Sequence, residues 1–280
     1  MINRVYTSLK KGAYIMQRDQ HMHRRHRRRL ILTILIVLVV IFGLHHFLSV
    51  GARLKANWNK IVYTSSDNVA IAVYSPKTHR TYTSTNAPHH KFHTASTVKV
   101  SVLAGLLLKQ QAPLSSHQTE LAKEMIEQSD NTATTTLFNE LGGQKGLQET
   151  FDKFGMKDSV AHERWGLTTT TPADQIKLLN NIFYRSDLLD SQERATIRNL
   201  MDNVEADQAW GISAGSDNFA IKNGWLSYGS DDWIVNSIGY IKNNNGTSYT
   251  IAVYTDKNNS MVTGQQTIEQ LARTTKSIME

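Results

Sequence analysis

The side-chain period of this chain changes twice, and that double change limits the folds open to it. Asn68 to Tyr74 and Arg80 to Ser84 are β-rich runs around a turn at Ser75-Pro-Lys-Thr78, which predicts a β-hairpin. Helical spacing then takes over. Apolar residues recur near every third or fourth position over 96–111, 117–128, 132–141, 145–154, 173–183 and 191–201. Gly142-Gly143 closes the third of these and Gly155 the fourth. Asp158 to Thr171 reads as irregular and polar. After Ala209 strand-like runs return at Asn218–Ile221, Asp232–Ile241 and Ser248–Thr255, with a turn at Asn243–Gly246, and a last helix spans about Gly264 to Met279. Strands at both ends with helices between them predict an α+β fold. An antiparallel sheet is built from both chain ends and flanked by helices, and the helical middle is inserted as a lobe. A site then belongs in the cleft between the sheet edge and that lobe.

The first fifty residues follow another rule. Residues 1–29 hold nine of the 31 Lys and Arg but one of the 24 acids, leaving 22 bases and 23 acids for the rest of the chain. The formal charge of +7 therefore belongs to a basic tail, and nucleic-acid binding by the main domain has no electrostatic support. Directly after Arg29 the chain is apolar from Leu30 to Val50, long enough for a spanning helix. The arginines keep their side cytoplasmic. The expected organisation is a cytoplasmic basic tail over 1–29, a transmembrane anchor over 30–50, a linker or first helix over 51–67, and the main domain over 68–280. That makes a single-pass protein of the cell membrane with its domain extracellular. Val50-Gly51-Ala52 offers a signal-peptide cleavage site, but the apolar run exceeds a usual signal core, so an uncleaved anchor is expected. The chain has no cysteine, which excludes disulfides and a thiol nucleophile. The groups His21, His23, His26 and His89, His90, His93 lack completing ligands, so neither a metal nor another cofactor is expected.

Chemistry concentrates at the front of the helix that follows Phe92. Ser96 and Lys99 are three residues apart, one turn apart on one face. The surrounding residues are apolar, and burial lowers a lysine's pKa by penalising its charged form. A neutral amine there can take the serine's proton and make it a nucleophile, while the helix N-terminus favours negative charge beside it. Ser8-Leu-Lys-Lys11 has the same spacing, so the motif alone is weak.

Three motifs in order are stronger. Ser96-Thr-Val-Lys99 is followed by Ser129-Asp130-Asn131 and by Lys222-Asn223-Gly224 at the end of a predicted strand. Ser216-Asp-Asn218 repeats the second motif without its helical context. The set resembles the penicillin-recognising serine hydrolases, most closely the class A β-lactamases, with their S-x-x-K, S-D-N and K-T-G signature. Phe92, Thr132-Ala133, Gly142-Gly143 and Thr169-Thr-Thr-Pro172 extend the likeness over roughly 65–280. The resemblance implies a β-lactamase/transpeptidase-like fold. It implies Ser96 as the acylated nucleophile, Lys99 as its proton acceptor and Ser129 as a proton shuttle to the leaving nitrogen. Asn131 would hold Lys99 and the substrate amide, and Lys222 the substrate carboxylate. Asn223, Gly224 and Trp225 would line the substrate, with the N–H groups of Ser96 and Trp225 as oxyanion hole.

Two departures from the family stand out. Its deacylating glutamate has one counterpart in the loop Ala161–Leu167, namely Glu163, and Leu167 stands where an asparagine is expected four residues on. Asn223 replaces a threonine or serine, and bulky Trp225 follows Gly224. The first expectation is a membrane-anchored extracytoplasmic serine hydrolase that opens a β-lactam through an acyl-serine. The alternatives are a D-alanyl-D-alanine carboxypeptidase that deacylates slowly on peptidoglycan stem peptides, or a non-catalytic relative that binds wall fragments.

Overall fold

The computed structural model describes residues 30–41, 50–229 and 232–280, in two compact units, Met1–Val50 and Gly51–Glu280. In the first unit residues 30–41 are helical, with their apolar side chains exposed. Of the segment 30–50 expected to span a membrane, residues 30–41 form a helix too short to do so. Residues 42–49 and the basic tail 1–29 lie outside the described residues. Among the described residues no helix is long and apolar enough to cross a membrane.

The strands of the second unit are β1 (Asn68–Ser75), β2 (Arg80–Thr85), β3 (Phe92–His93), β4 (Thr169–Thr170), β5 (Phe219–Ser227), β6 (Trp233–Lys242) and β7 (Ser248–Asn258). The helices are α1 (residues 51–62 of this unit), α2 (Val98–Gln110), α3 (Ser116–Glu127), α4 (Asn131–Leu141), α5 (Gly143–Lys153), α6 (Pro172–Phe183), α7 (Ser191–Asp202) and α8 (Met261–Met279). Five strands form an antiparallel sheet in the order β2-β1-β7-β6-β5, so the first hairpin is completed by the last strand. β3 and β4 make a separate two-stranded ribbon.

The sheet is covered on both faces, and alternate residues divide between two cores. Ala70, Ala72, Ala252 and Tyr254 turn toward the helical lobe and join a core with α2, α4, α5 and α6. On the other face α8 packs on β6 and β7, with Gly264 against Val235. Double coverage explains why these strands read as unbroken apolar runs rather than strict alternation. The segment 51–67, read as linker or first helix, contains α1. Its Leu54, Trp58 and Val62, spaced by four, are wholly buried, and Trp58 Nε1 donates to Thr275 Oγ1 of α8 at 3.0 Å.

Two local expectations change. The sequence predicts a strand that stops at Ile221, but pairing with β6 carries β5 through Lys222-Asn223-Gly224 to Ser227. Thr169-Thr170, read as irregular, forms β4 by pairing with Phe92-His93. That ribbon delivers the chain to Ser96.

Candidate active site

Ser96 lies in a 3-10 turn, Ala95–Thr97, that runs directly into α2. In such a turn side chains three apart eclipse one another, which places Ser96 and Lys99 on one face. α2 is buried on every side from Val98 to Leu107, as expected of a helix in the middle of a core. Lys99 is therefore fully buried (0 % exposed), while Ser96 is half-buried and reaches the surface of the cleft.

The second motif supplies the lysine's partners. Lys99 Nζ donates to the Ser129 carbonyl at 2.6 Å, to Ser129 Oγ at 3.0 Å and to Asn131 Oδ1 at 3.0 Å. Asp130 is the N-cap of α4, its Oδ1 accepting from the Ala133 N–H at 2.7 Å. Ser129, just before the cap, is held at φ 60° so that its carbonyl and its hydroxyl both face the lysine. Ala95, just before Ser96, has φ 46°. Left-handed backbone at a residue with a side chain costs on the order of 1–3 kcal/mol, and here it flanks two of the three motifs. Burial lowers the Lys99 pKa to about 7, against a smaller opposing pull from the Asp130 carboxylate. The amine is thus poised between an ammonium donating three hydrogen bonds and a base able to take a proton.

The third motif lies against the first. A Cβ added to Gly224 would come 2.6 Å from the Ser96 amide nitrogen and 2.8 Å from that of Thr97. Only glycine lets the β5 backbone come this close to the Ser96 N–H, beside which Trp225 follows in the strand. Lys222 is fully buried, and its Nζ has no hydrogen-bond partner among the described residues. Burial first, and the charge of Lys99 second, hold its pKa well below the ordinary lysine range. An unpartnered buried amine of this kind calls for an anionic group.

Asn223 does not join the cleft. Its Nδ2 donates to the carbonyls of Gln208 (2.7 Å) and Trp210 (2.9 Å), and the residue is 1 % exposed. Strand alternation explains this: Gly224 faces Ser96, so Asn223 and Trp225 face the other way, and the Trp225 ring packs on Trp210 with centroids 5.8 Å apart. The side chain expected to touch substrate instead braces β5 to the 206–210 segment. Glu163 is exposed and makes no hydrogen bond or ion pair among the described residues, with Arg164 or with any lysine. The histidines of the 89–93 loop have other partners: His90 Nε2 pairs with Asp256 Oδ2 at 2.5 Å, and His93 Nδ1 with the Leu167 carbonyl at 2.9 Å.

Two further residues position the site. Trp165 holds its ring centroid 5.1 Å from Lys99 Nζ and donates through Nε1 to Thr135 Oγ1 at 3.2 Å. Asn236, fully buried in β6, donates to the carbonyls of His93 (2.9 Å) and Thr94 (3.2 Å) and accepts from the Thr255 N–H (3.2 Å). It ties the approach to Ser96 to the sheet. An amide in the middle of an otherwise apolar strand is the sequence signal for Asn236, and a lone indole in a short polar loop is the signal for Trp165.

The beta-lactamase enzyme family model matches residues 104–279, more than half of the chain. The chain belongs to the beta-lactamase enzyme family. The match begins after Ser96 and Lys99, so the first motif rests on the geometry above. Among solved structures the fold is similar to a class A beta-lactamase from Bacteroides cellulosilyticus. That match has a TM-score of 0.71 at 17 % identity and covers 82 % of this chain and 98 % of the other. A point mutant of PBP-A, in an acyl-enzyme complex with penicillin G, matches with a TM-score of 0.69 at 20 % identity, covering 81 % and 96 %. A beta-lactamase from Chitinophaga pinensis gives 0.70 at 17 % identity, covering 80 % and 98 %. At these identities the structural likeness speaks for the fold, and membership of the beta-lactamase enzyme family rests on the family match. No curated protein matches the chain.

Proposed function

We propose that this protein is a membrane-anchored, extracytoplasmic serine hydrolase that attacks a β-lactam or a peptide amide through an acyl-Ser96 intermediate. The observation that carries the proposal is the environment of Lys99: fully buried, hydrogen-bonded to Ser129 and Asn131, with a pKa of about 7. Deprotonated Lys99 takes the Ser96 hydroxyl proton as Oγ bonds to the carbonyl carbon. The oxyanion is met by the N–H groups of Ser96 and Trp225. As the C–N bond breaks, Ser129 passes a proton from Lys99 to the leaving nitrogen. Lys222 attracts a carboxylate on the substrate. The anchor and the outward orientation are supported by the nine bases of residues 1–29 and the apolar run that follows them.

A second reading concerns the fate of the acyl-enzyme. Trp165 rather than a carboxylate lies over Lys99, and Glu163 is exposed and unpaired among the described residues. Both favour slow deacylation, as in a cell-wall peptidase acting on stem peptides. A fluorescent penicillin separates the cases. The expected result is Ser96-dependent label that is absent in Ser96→Ala, persists for minutes and is accompanied by negligible nitrocefin turnover. Rapid turnover would assign a true β-lactamase, and no label at all would overturn the acyl-serine mechanism.

A further inference from the structure

Lys99 has acceptors on one side and an aromatic face on the other. Ser129 O, Ser129 Oγ and Asn131 Oδ1 take its hydrogens, and the Trp165 ring stands 5.1 Å from Nζ. The indole is fixed at both ends of its reach. Its N–H is bound to Thr135 on α4, and its backbone carbonyl accepts from the Thr168 N–H at 3.1 Å. The loop that carries it is bound to the nucleophile's own approach, since the Thr94 N–H donates to the Thr168 carbonyl at 2.8 Å. Gly166 faces Ala95, and a Cβ added there would lie 4.0 Å from the Ala95 Cα. The charged group acting on Lys99 is the Asp130 carboxylate at the start of α4, and Lys99 in turn acts on the buried Lys222 amine of β5. Glu163 and Arg164, on the indole's own loop, are exposed.

We propose that Trp165 is a positioning residue for the base: its indole, pinned to Thr135, walls Lys99 off from water and so sets how readily the amine accepts the Ser96 proton. This rests on the acyl-Ser96 reading. A cation over an aromatic face gains modestly, which favours the ammonium, whereas exclusion of water favours the neutral amine. Burial is the larger influence on Lys99, so removing the ring raises its pKa rather than lowering it.

The test is an NMR titration of the full chain in detergent, labelled with [ε-13C]lysine, with the Lys99 resonance assigned by its loss in Lys99→Arg. Wild type titrates at about pH 7, Trp165→Ala roughly one unit higher or more, and Trp165→Phe close to wild type. A one-unit rise leaves about one amine in eleven neutral at pH 7 instead of one in two, so penicillin acylation at that pH falls about fivefold in Trp165→Ala and recovers in Trp165→Phe. An unmoved Lys99 midpoint in Trp165→Ala overturns the proposal, as does a Phe variant that shifts as far as Ala. If circular dichroism shows Trp165→Ala unfolded, Thr135→Val replaces it, with a smaller rise expected and no rise overturning the proposal. Failure of wild type to take label sinks the acyl-serine reading alone, because the Lys99 titration judges Trp165 without it.

Discussion

Lys99 Nζ and Ser129 Oγ stand 3.0 Å apart although thirty residues separate them in the chain. Ser129 reaches that position only by adopting φ 60°, and the Asp130 cap of α4 fixes the turn. A buried amine, a hydroxyl and a strained backbone thus form one unit, which makes the protonation of Lys99 the quantity to measure.

Acylation of Ser96 is expected to rise with pH through an inflection at about 7, as Lys99 loses its proton. Lys99→Arg, which keeps charge and donors but cannot act as a base, should lower the acylation rate by roughly 10²–10⁴ and erase the inflection. Stopped-flow labelling across about pH 5–9 measures both.

Lys222 bears on stability in the opposite sense to its use in binding. Its folded pKa lies below the unfolded value of about 10.4, so the unfolded chain binds more protons and stability rises with pH between the two. Lys222→Met should stabilise the fold by about 1–4 kcal/mol at pH 7, lose most of that advantage by about pH 10, and abolish tight acylation by carboxylate-bearing substrates. Urea midpoints at the two pH values read the difference. A destabilised methionine variant at neutral pH would contradict the unpartnered state of this amine.

Gly224→Ala tests the close approach of β5 to Ser96. Its methyl would overlap the Ser96 and Thr97 amides, at 2.6 and 2.8 Å. The expected cost is about 1–3 kcal/mol in stability, with acylation reduced about 100-fold or more as the oxyanion donors are displaced. Thermal denaturation and labelling rate measured on one preparation separate these effects.

Asn223→Thr would restore the residue type usual in the family at this position. Threonine cannot span the Gln208 and Trp210 carbonyls that the amide now bridges. A loss of about 1–3 kcal/mol is expected from the two unpaired acceptors, with little gain in substrate affinity because the side chain points away from the cleft. Chemical denaturation and acylation kinetics measure the two. A tighter-binding, equally stable threonine variant would show that the hydroxyl turns into the site instead.

Much of this is legible from the residues. The order of strands and helices follows from the period, and Lys99, Ser129 and Asn131 meet because each lies near a helix start whose position the sequence marks, with Ser96 one turn before Lys99. What stays hidden depends on pairing rather than period. β5 continues past Ile221 because β6 lies beside it, though Lys222-Asn-Gly224 reads as the end of a strand. β3 and β4 are two residues each, too short for alternation to register. The inward turn of Asn223 is invisible in the sequence because its face is fixed by Gly224 meeting Ser96, a contact between residues far apart in the chain.

The neighbour of β1 on its inner side is β7, and Asn68 bonds Asp256 at 2.6 Å across 188 residues. During synthesis the amino-terminal hairpin therefore has no one to zip onto until almost the whole polypeptide has been made. Folding waits on the arrival of the carboxyl end, and a chain cut short before Ser248 leaves an apolar strand edge open to intermolecular pairing and aggregation.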